Sequence, residues 1–248
     1  HGEYMNIISA RLNDGKIRVL VVIEGRCKAD IKSFFESIPS RLQKTVNSVC
    51  TDMHDAFVYA SIEVFGPQAV VIDRYHVAKA YRKPLDKLRI KEMKRLKSEL
   101  EHEEYSILEG MTWILRKQHE CLSDTDKSKL ELLYRYSPTL KNAHHYALKL
   151  TCIFNTHCKR KSAMAKINRW IKTVEKIDIT CFDSFISTLG KYKSYIANYF
   201  KKRKNSGFVE SLNNKIKVAK RRCYGFFKIE TIFQRLLLDF QGLEIYVA

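Results

Sequence analysis

Two stretches near the start of the chain, residues 4–10 and 16–23, are rich in β-branched residues, which favour strands. The sequence Asn-Asp-Gly at 13–15 separates them. A short turn sequence of this kind between two strand-forming runs is typical of a β-hairpin. The N-terminal part of the chain therefore begins with two antiparallel strands.

A helical pattern follows the hairpin. Apolar residues of 28–38 recur at intervals of three and four, and Pro39 ends the pattern. Two short apolar runs then occur at 46–51 and 69–72, with a second helical pattern over 56–65 between them. A short helix between two buried strands implies a parallel βαβ unit. Hairpin and βαβ unit together predict an α/β fold with a mixed sheet flanked by helices.

The pattern changes after His76, because apolar residues now recur at three- and four-residue intervals up to about Lys204 and no alternating run remains. Turn-forming residues interrupt it near 123–124, 137–138 and Asp178. We therefore predict that this stretch is all helix.

The last part of the chain is also predicted to be helical. Asn205 or Ser206 can cap a helix from about Phe208 to Arg222, and a final helix covers about 229–238. Three parts follow from these patterns. Residues 1–75 form the N-terminal part of a sheet core, 76–204 form a helical insertion, and 205–248 supply helices that complete the core.

Composition points to an ordered protein with a polyanionic partner. Of the 248 residues 45% are hydrophobic, which argues against disorder. The 45 Lys and Arg residues against 27 Asp and Glu residues give a net charge of +18, and nucleic acid is the commonest partner of so basic a chain. Because there is no long apolar run and no signal-peptide pattern, we expect a soluble cytoplasmic protein without a membrane partner.

Two aspartates and one glutamate are the candidate acids. Asp52 and Asp73 each follow a predicted strand, where carboxylates can hold a divalent ion, although turn or cap roles are common there. On the helix after Lys204, Glu210 shares a face with Asn213, Asn214 and Lys217. Glu210 is also the single acid between Lys201 and Arg222, a segment with nine basic residues. This segment combines a candidate metal ligand with a candidate path for DNA phosphates.

Four motifs in this order resemble those of ISL3-type bacterial insertion-sequence transposases. They are Val-Cys-Thr-Asp-Met at 49–53, Ala-Val-Val-Ile-Asp-Arg-Tyr-His-Val at 69–77, Ser-Gly-Phe-Val-Glu-Ser-Leu-Asn-Asn-Lys-Ile-Lys at 206–217, and Arg-Arg-Cys-Tyr-Gly-Phe at 221–226. The resemblance covers essentially the whole chain. It implies a DDE transposase with an RNase H-like mixed sheet core and a large helical insertion.

The resemblance also implies residue roles. Asp52 matches the second acid of the catalytic triad and Glu210 the third, so these two are the expected catalytic residues and ligands of Mg²⁺ or Mn²⁺. Asp73 and His76 match an Asp-x-x-His signature near the active site and, with Asn213 and Asn214, are candidate supporting residues. Asp73 and His76 have a purely structural alternative, in which Asp73 caps the following helix. The residues expected to bind DNA are basic: Lys201, Lys202, Arg203, Lys204, Lys215, Lys217, Lys220, Arg221 and Arg222.

The match departs from the family at its start. The family's first acid lies on a strand upstream of a segment that resembles residues 1–4, so we expect this chain to lack that strand and to be inactive alone. The expected activity is metal-dependent cleavage and strand transfer at transposon ends and target DNA. Two alternatives remain, another RNase H-like nuclease or a non-catalytic nucleic-acid-binding protein. The sequence leaves the oligomeric state open, a homodimer included.

Overall fold

A computed structural model of the chain describes residues 5–117, 119–203, 214, 218, 221 and 229–241. It is of mixed α and β type with helix predominant, and it divides into two compact units. One unit contains His1–Val71 and Lys204–Ala248, and the other contains Ile72–Arg203. No helix among the described residues is long and apolar enough to cross a membrane.

The first unit opens with the predicted hairpin. Strand β1 (Met5–Arg11) pairs antiparallel with β2 (Ile17–Glu24), with an irregularity in register between Ile8 and Ser9. Gly15 has a φ of +85°, which its missing side chain permits, and Leu12 donates to the carbonyl of Lys16 at 2.9 Å across the turn. The turn sequence thus fixes the pairing of the two strands.

The strand, helix, strand order predicted for residues 46–72 is confirmed. Helix α1 (Lys28–Ser37) and a short α2 (Ser40–Gln43) lead to β3 (Val49–Thr51). Helix α3 (Asp55–Phe65) then connects β3 to β4 (Val70–Ile72). Gly66 ends α3 at a φ of +79°, a conformation unfavourable for other residues.

The described strands form two separate two-stranded sheets, β1 with β2 and β3 with β4. The single mixed sheet that the pattern predicted is therefore not formed by the described residues. Helices α1 and α3 pack together instead, and their buried residues contact partly buried residues of both sheets. That cluster centres on Ile31, Phe35, Ala56 and Ala60. The helix at the end of the chain, α11 (Ile229–Gln241), packs on β2 and buries Leu236.

The second unit is built from helices and turns in its described residues, as the periodicity after His76 predicts. The elements are α4 (Arg74–Glu99), α5 (His102–Ile107), α6 (Met111–Ile114), a 3₁₀ turn (His119–Cys121), α7 (Asp124–Tyr136), α8 (Pro138–Asn155), α9 (Arg160–Lys176), a 3₁₀ turn (Thr180–Phe182) and α10 (Asp183–Lys202).

The structure has breaks between helices at the three positions where turns are predicted, near 123–124, 137–138 and Asp178. Ser123 and Ser137 are the N-caps of α7 and α8, each accepting a hydrogen bond from a backbone N–H of the first turn. Asp178, with a positive φ of 51°, follows α9. The core of the unit is largely aliphatic but includes an aromatic cluster, in which Trp170 makes edge contacts with Phe182 and Phe185.

Candidate functional site

Asp52 directly follows β3 and is half-buried. The strand pairs with β4, and Val49 donates to the carbonyl of Ala69, the residue just before β4, at 2.9 Å. Two residues further on, His54 is the N-cap position of α3, so the chain turns from strand into helix immediately after the carboxylate. Asp52 is thus fixed between two packed elements of the first unit. Such a position suits a carboxylate that must hold a ligand in one geometry.

The His54 side chain was not among the predicted site residues. Its Nδ1 is buried and has no hydrogen-bond partner among the described residues, while its ring packs edge-on against Phe57 at 5.7 Å. An unsatisfied buried nitrogen costs about 1–3 kcal/mol. No motif marks this histidine, because its burial depends on how α3 packs.

Asp73 follows β4 and is 4% exposed. Its side chain caps α4, because Oδ1 accepts a hydrogen bond from the backbone N–H of Tyr75 at 3.0 Å. His76, in the first turn of α4, is half-buried and its ring meets that of Tyr75 edge-on. The capping role set out for Asp73 as the structural alternative is therefore present.

The three described basic residues at the end of α10 differ from one another. Lys201 and Lys202 are exposed in the last turn of the helix, where positive charge complements the helix dipole. Arg203 is half-buried and takes a left-handed backbone conformation with φ of 49°. Lys201 and Lys202 present charge to the outside, whereas Arg203 turns inward.

The Arg203 side chain binds the C-terminal end of α8. Its Nη1 donates to the carbonyl of Thr156 and its Nη2 to that of Phe154, both at 3.0 Å, and its guanidinium stacks on the Tyr199 ring at 5.2 Å. Carbonyls at a helix end lack intrahelical donors, so a guanidinium satisfies them well. Arg74, at the start of α4, donates to the side chain of Asn155 at the same end of α8.

The other predicted site residues are described only in part. Asn214 and Arg221 have helical backbone and exposed side chains, in agreement with a helix over 208–222 at those positions. Seven predicted residues lie outside the described part of the chain. They are Glu210, Asn213, Lys204, Lys215, Lys217, Lys220 and Arg222.

Asp52 is a candidate ligand for a divalent cation. It offers carboxylate oxygens, which the hard cations Mg²⁺ and Mn²⁺ prefer. Among the described residues no three His, Cys, Asp or Glu side chains come together in a way that could hold a metal ion. Glu210 is not among those residues.

Comparison with known proteins gives one family. A family model described as a transposase, of the DDE type and the ISL3 group, matches residues 1–236. The transposase for insertion sequence element IS1001 of Bordetella parapertussis is 26% identical over 229 residues, which are 91% of this chain and 55% of that protein. The transposase for insertion sequence element IS1557 of Mycobacterium tuberculosis is 23% identical over 135 residues, 54% of this chain and 30% of that protein.

The chain thus spans about half the length, or less, of these curated relatives. No solved structure matches it.

Proposed function

Because the chain belongs to the ISL3-type family of DDE transposases, we propose that it contributes to metal-dependent cleavage and strand transfer of DNA in transposition. The observation that carries the proposal is the family match over residues 1–236, a span that contains both Asp52 and Glu210. The position of Asp52 immediately after a paired strand supports the same assignment.

In this proposal Asp52 and Glu210 are the metal ligands that the chain supplies, within an RNase H-like core formed by 1–75 and 205–248. A divalent ion bound by Asp52 and Glu210 would supply positive charge that stabilises the scissile phosphate and favours deprotonation of the attacking water or 3′-hydroxyl. Asp52 holds its oxygens in place because β3 and α3 fix the backbone on both sides of it. Carboxylates suit this role because Mg²⁺ and Mn²⁺ are hard cations.

Asp73, His76, Asn213 and Asn214 are proposed to support the site rather than to bind the metal. Asp73 already accepts a hydrogen bond from Tyr75, so its cap sets where α4 begins. Loss of that cap would shift the first turn of α4, which includes His76.

Exposed basic residues are proposed to bind DNA phosphates. Lys201, Lys202 and Arg221 are exposed in the structure, and the proposal extends to Lys204, Lys215, Lys217, Lys220 and Arg222. Arg203 is assigned differently. Its guanidinium binds two backbone carbonyls and an aromatic ring, so we propose that it positions the end of α10.

The test is strand cleavage of a duplex that carries the insertion-sequence end, with Mg²⁺ or Mn²⁺. Cleavage is measured for the chain itself and for a form extended upstream by the family's first strand. Metal-dependent cleavage that Asp52→Asn and Glu210→Gln each reduce by about 100-fold or more supports the proposal. Asp55→Asn, at an exposed carboxylate three residues after Asp52, is the control and should leave cleavage unchanged.

Two results would overturn the proposal. One is cleavage that neither Asp52→Asn nor Glu210→Gln reduces when each substitution is made separately. The other is the absence of metal-dependent cleavage in both forms of the protein. DNA binding without cleavage in both forms would favour the non-catalytic alternative.

A further inference from the structure

Helix α4 carries far more positive than negative charge. Its 26 residues include ten Lys or Arg and three Asp or Glu. Seven of the ten basic residues are exposed. They are Lys79, Arg82, Lys83, Lys87, Lys91, Lys94 and Lys97, and we call them the α4 basic face.

The seven residues lie on one side of the helix. At 100° per residue their positions fall within about half of the circumference, and from the first to the last they extend about 27 Å along the axis. The buried residues Tyr81, Leu85 and Leu96 occupy the other side, which packs into the second unit. The basic face is therefore the outward side of a helix whose inward side holds it in place.

The acids of α4 leave this face almost uncompensated. Glu92 and Glu99 both pair with Arg95, away from the face. Asp86 lies on the same side of the helix as the face, but its carboxylate pairs with Arg89 at 2.9 Å and with Arg116 at 3.5 Å.

Within the part of the chain that the structure describes, none of the seven cations forms an ion pair with an acid. Holding like charges in a row costs free energy, and the row's electrostatic potential attracts a polyanion.

We propose that the α4 basic face binds the phosphate backbone of duplex DNA as a contact additional to the segment 201–222. The proposal rests on the proposed function, in which DNA is the partner. DNA carries one charge per about 1.7 Å of axis, so the face is long enough to meet several phosphates. It lacks the broad apolar surface that membrane insertion requires, since Ile90 is the exposed large hydrophobic residue within it.

The test is binding of the chain to a labelled duplex of unrelated sequence, about 30 base pairs long, followed by fluorescence anisotropy over a range of salt concentrations. The variant replaces the three central lysines of the face, Lys83→Gln, Lys87→Gln and Lys94→Gln. Glutamine keeps helix propensity and removes only charge. We expect Kd to rise about tenfold or more, and the slope of log Kd against log salt to fall by about 2 to 3.

The matched control removes the same charge elsewhere in the same unit, with Lys127→Gln, Lys141→Gln and Lys149→Gln. These lysines already contact Asp124, Tyr134 and Tyr146, respectively. The control should change the salt slope by less than about 0.5. Equal effects of the two triple variants would show that net charge alone matters, and no effect of the α4 variant would likewise overturn the proposal.

Two further arms complete the test. Vesicles of phosphatidylserine and phosphatidylcholine replace DNA, and a greater loss of vesicle binding than of DNA binding in the α4 variant would overturn the choice of partner. Strand cleavage is measured separately. If the α4 variant binds DNA as tightly as the wild type, this inference alone is contradicted. If the wild type binds DNA but does not cleave it, the proposed function alone is contradicted.

Discussion

Arg203 Nη1 donates a hydrogen bond to the carbonyl oxygen of Thr156 at 3.0 Å, across 47 residues of sequence. Because Arg203 follows the last residue of α10, this bond fixes the end of α10 against the end of α8. Arg74 reaches the same end of α8 through Asn155. Arg74 near the start of the second unit and Arg203 at its end thus both contact the C-terminal end of α8.

Replacement of Arg203 should destabilise the second unit. Arg203→Lys keeps the charge but loses the planar fork that reaches two carbonyls at once. We expect the free energy of unfolding to fall by about 1–3 kcal/mol in chemical denaturation, because the single ammonium group of lysine cannot reproduce both hydrogen bonds to the helix-end carbonyls. Lys202→Arg, at the exposed neighbouring position, is the control and should change it by less than about 0.5 kcal/mol. An equal response of the two variants would contradict the positioning role of Arg203.

Glu92 gives the second unit a pH-dependent contribution to stability. Burial opposes ionisation of Glu92, but hydrogen bonds from Ser137 and Arg95 outweigh it, so the pKa of this carboxyl lies below its ordinary value. A lowered pKa in the folded state stabilises the fold above the unfolded value near 4.5, and the effect is lost as the pH falls through the folded value.

Glu92→Gln should therefore lower the free energy of unfolding at pH 7 by about 1–3 kcal/mol, and the difference from the wild type should shrink as the pH falls below 4.5. Glu99→Gln is a suitable control because Glu99 pairs with the same arginine but is exposed. Its effect should stay below about 1 kcal/mol. Denaturation at pH 7 and pH 3 measures both, and a Glu92→Gln effect independent of pH would contradict the assignment.

His54 predicts an unusual response to loss of a polar group. Since Nδ1 is buried without a partner among the described residues, His54→Phe should leave stability unchanged or raise it by up to about 1–3 kcal/mol. Phenylalanine keeps the edge contact with Phe57. His54→Ala, which also creates a cavity, should lower stability. Thermal unfolding separates the two variants, and a marked loss in His54→Phe would reveal a partner for Nδ1.

Much of the secondary structure follows from local sequence. The Asn-Asp-Gly turn, the end of α1 just before Pro39 and the turns near 123–124 and 137–138 are local signals, and each was predicted. The strand predicted over 46–51 is shorter, because Val46 donates to the carbonyl of Gln43 in the turn after α2. A turn of this kind depends on backbone hydrogen bonds that composition does not encode.

Side-chain roles were harder to predict than elements. The basic run at 201–204 suggested that its members act alike, but Arg203 contacts residues about 47 positions away that only the fold brings near. The α4 basic face was likewise not predicted, because the apolar spacing after His76 indicated helix without giving the bounds of α4, and the face is defined only once those bounds are known. The orphaned nitrogen of His54 depends on packing and has no sequence signal.

In the proposed function, Asp52 and Glu210 bind at one metal site. Iron-directed cleavage tests this shared site: Fe²⁺ replaces Mg²⁺, ascorbate and peroxide generate hydroxyl radicals, and the radicals cut the backbone close to the bound iron. We predict two cuts, one near residue 52 and one near residue 210, and excess Mg²⁺ should suppress both. Asp52→Asn alone, or Glu210→Gln alone, should abolish both cuts. Asp55→Asn should leave both cuts intact. Cuts near only one of the two residues, or cuts that survive these substitutions, would contradict the shared site.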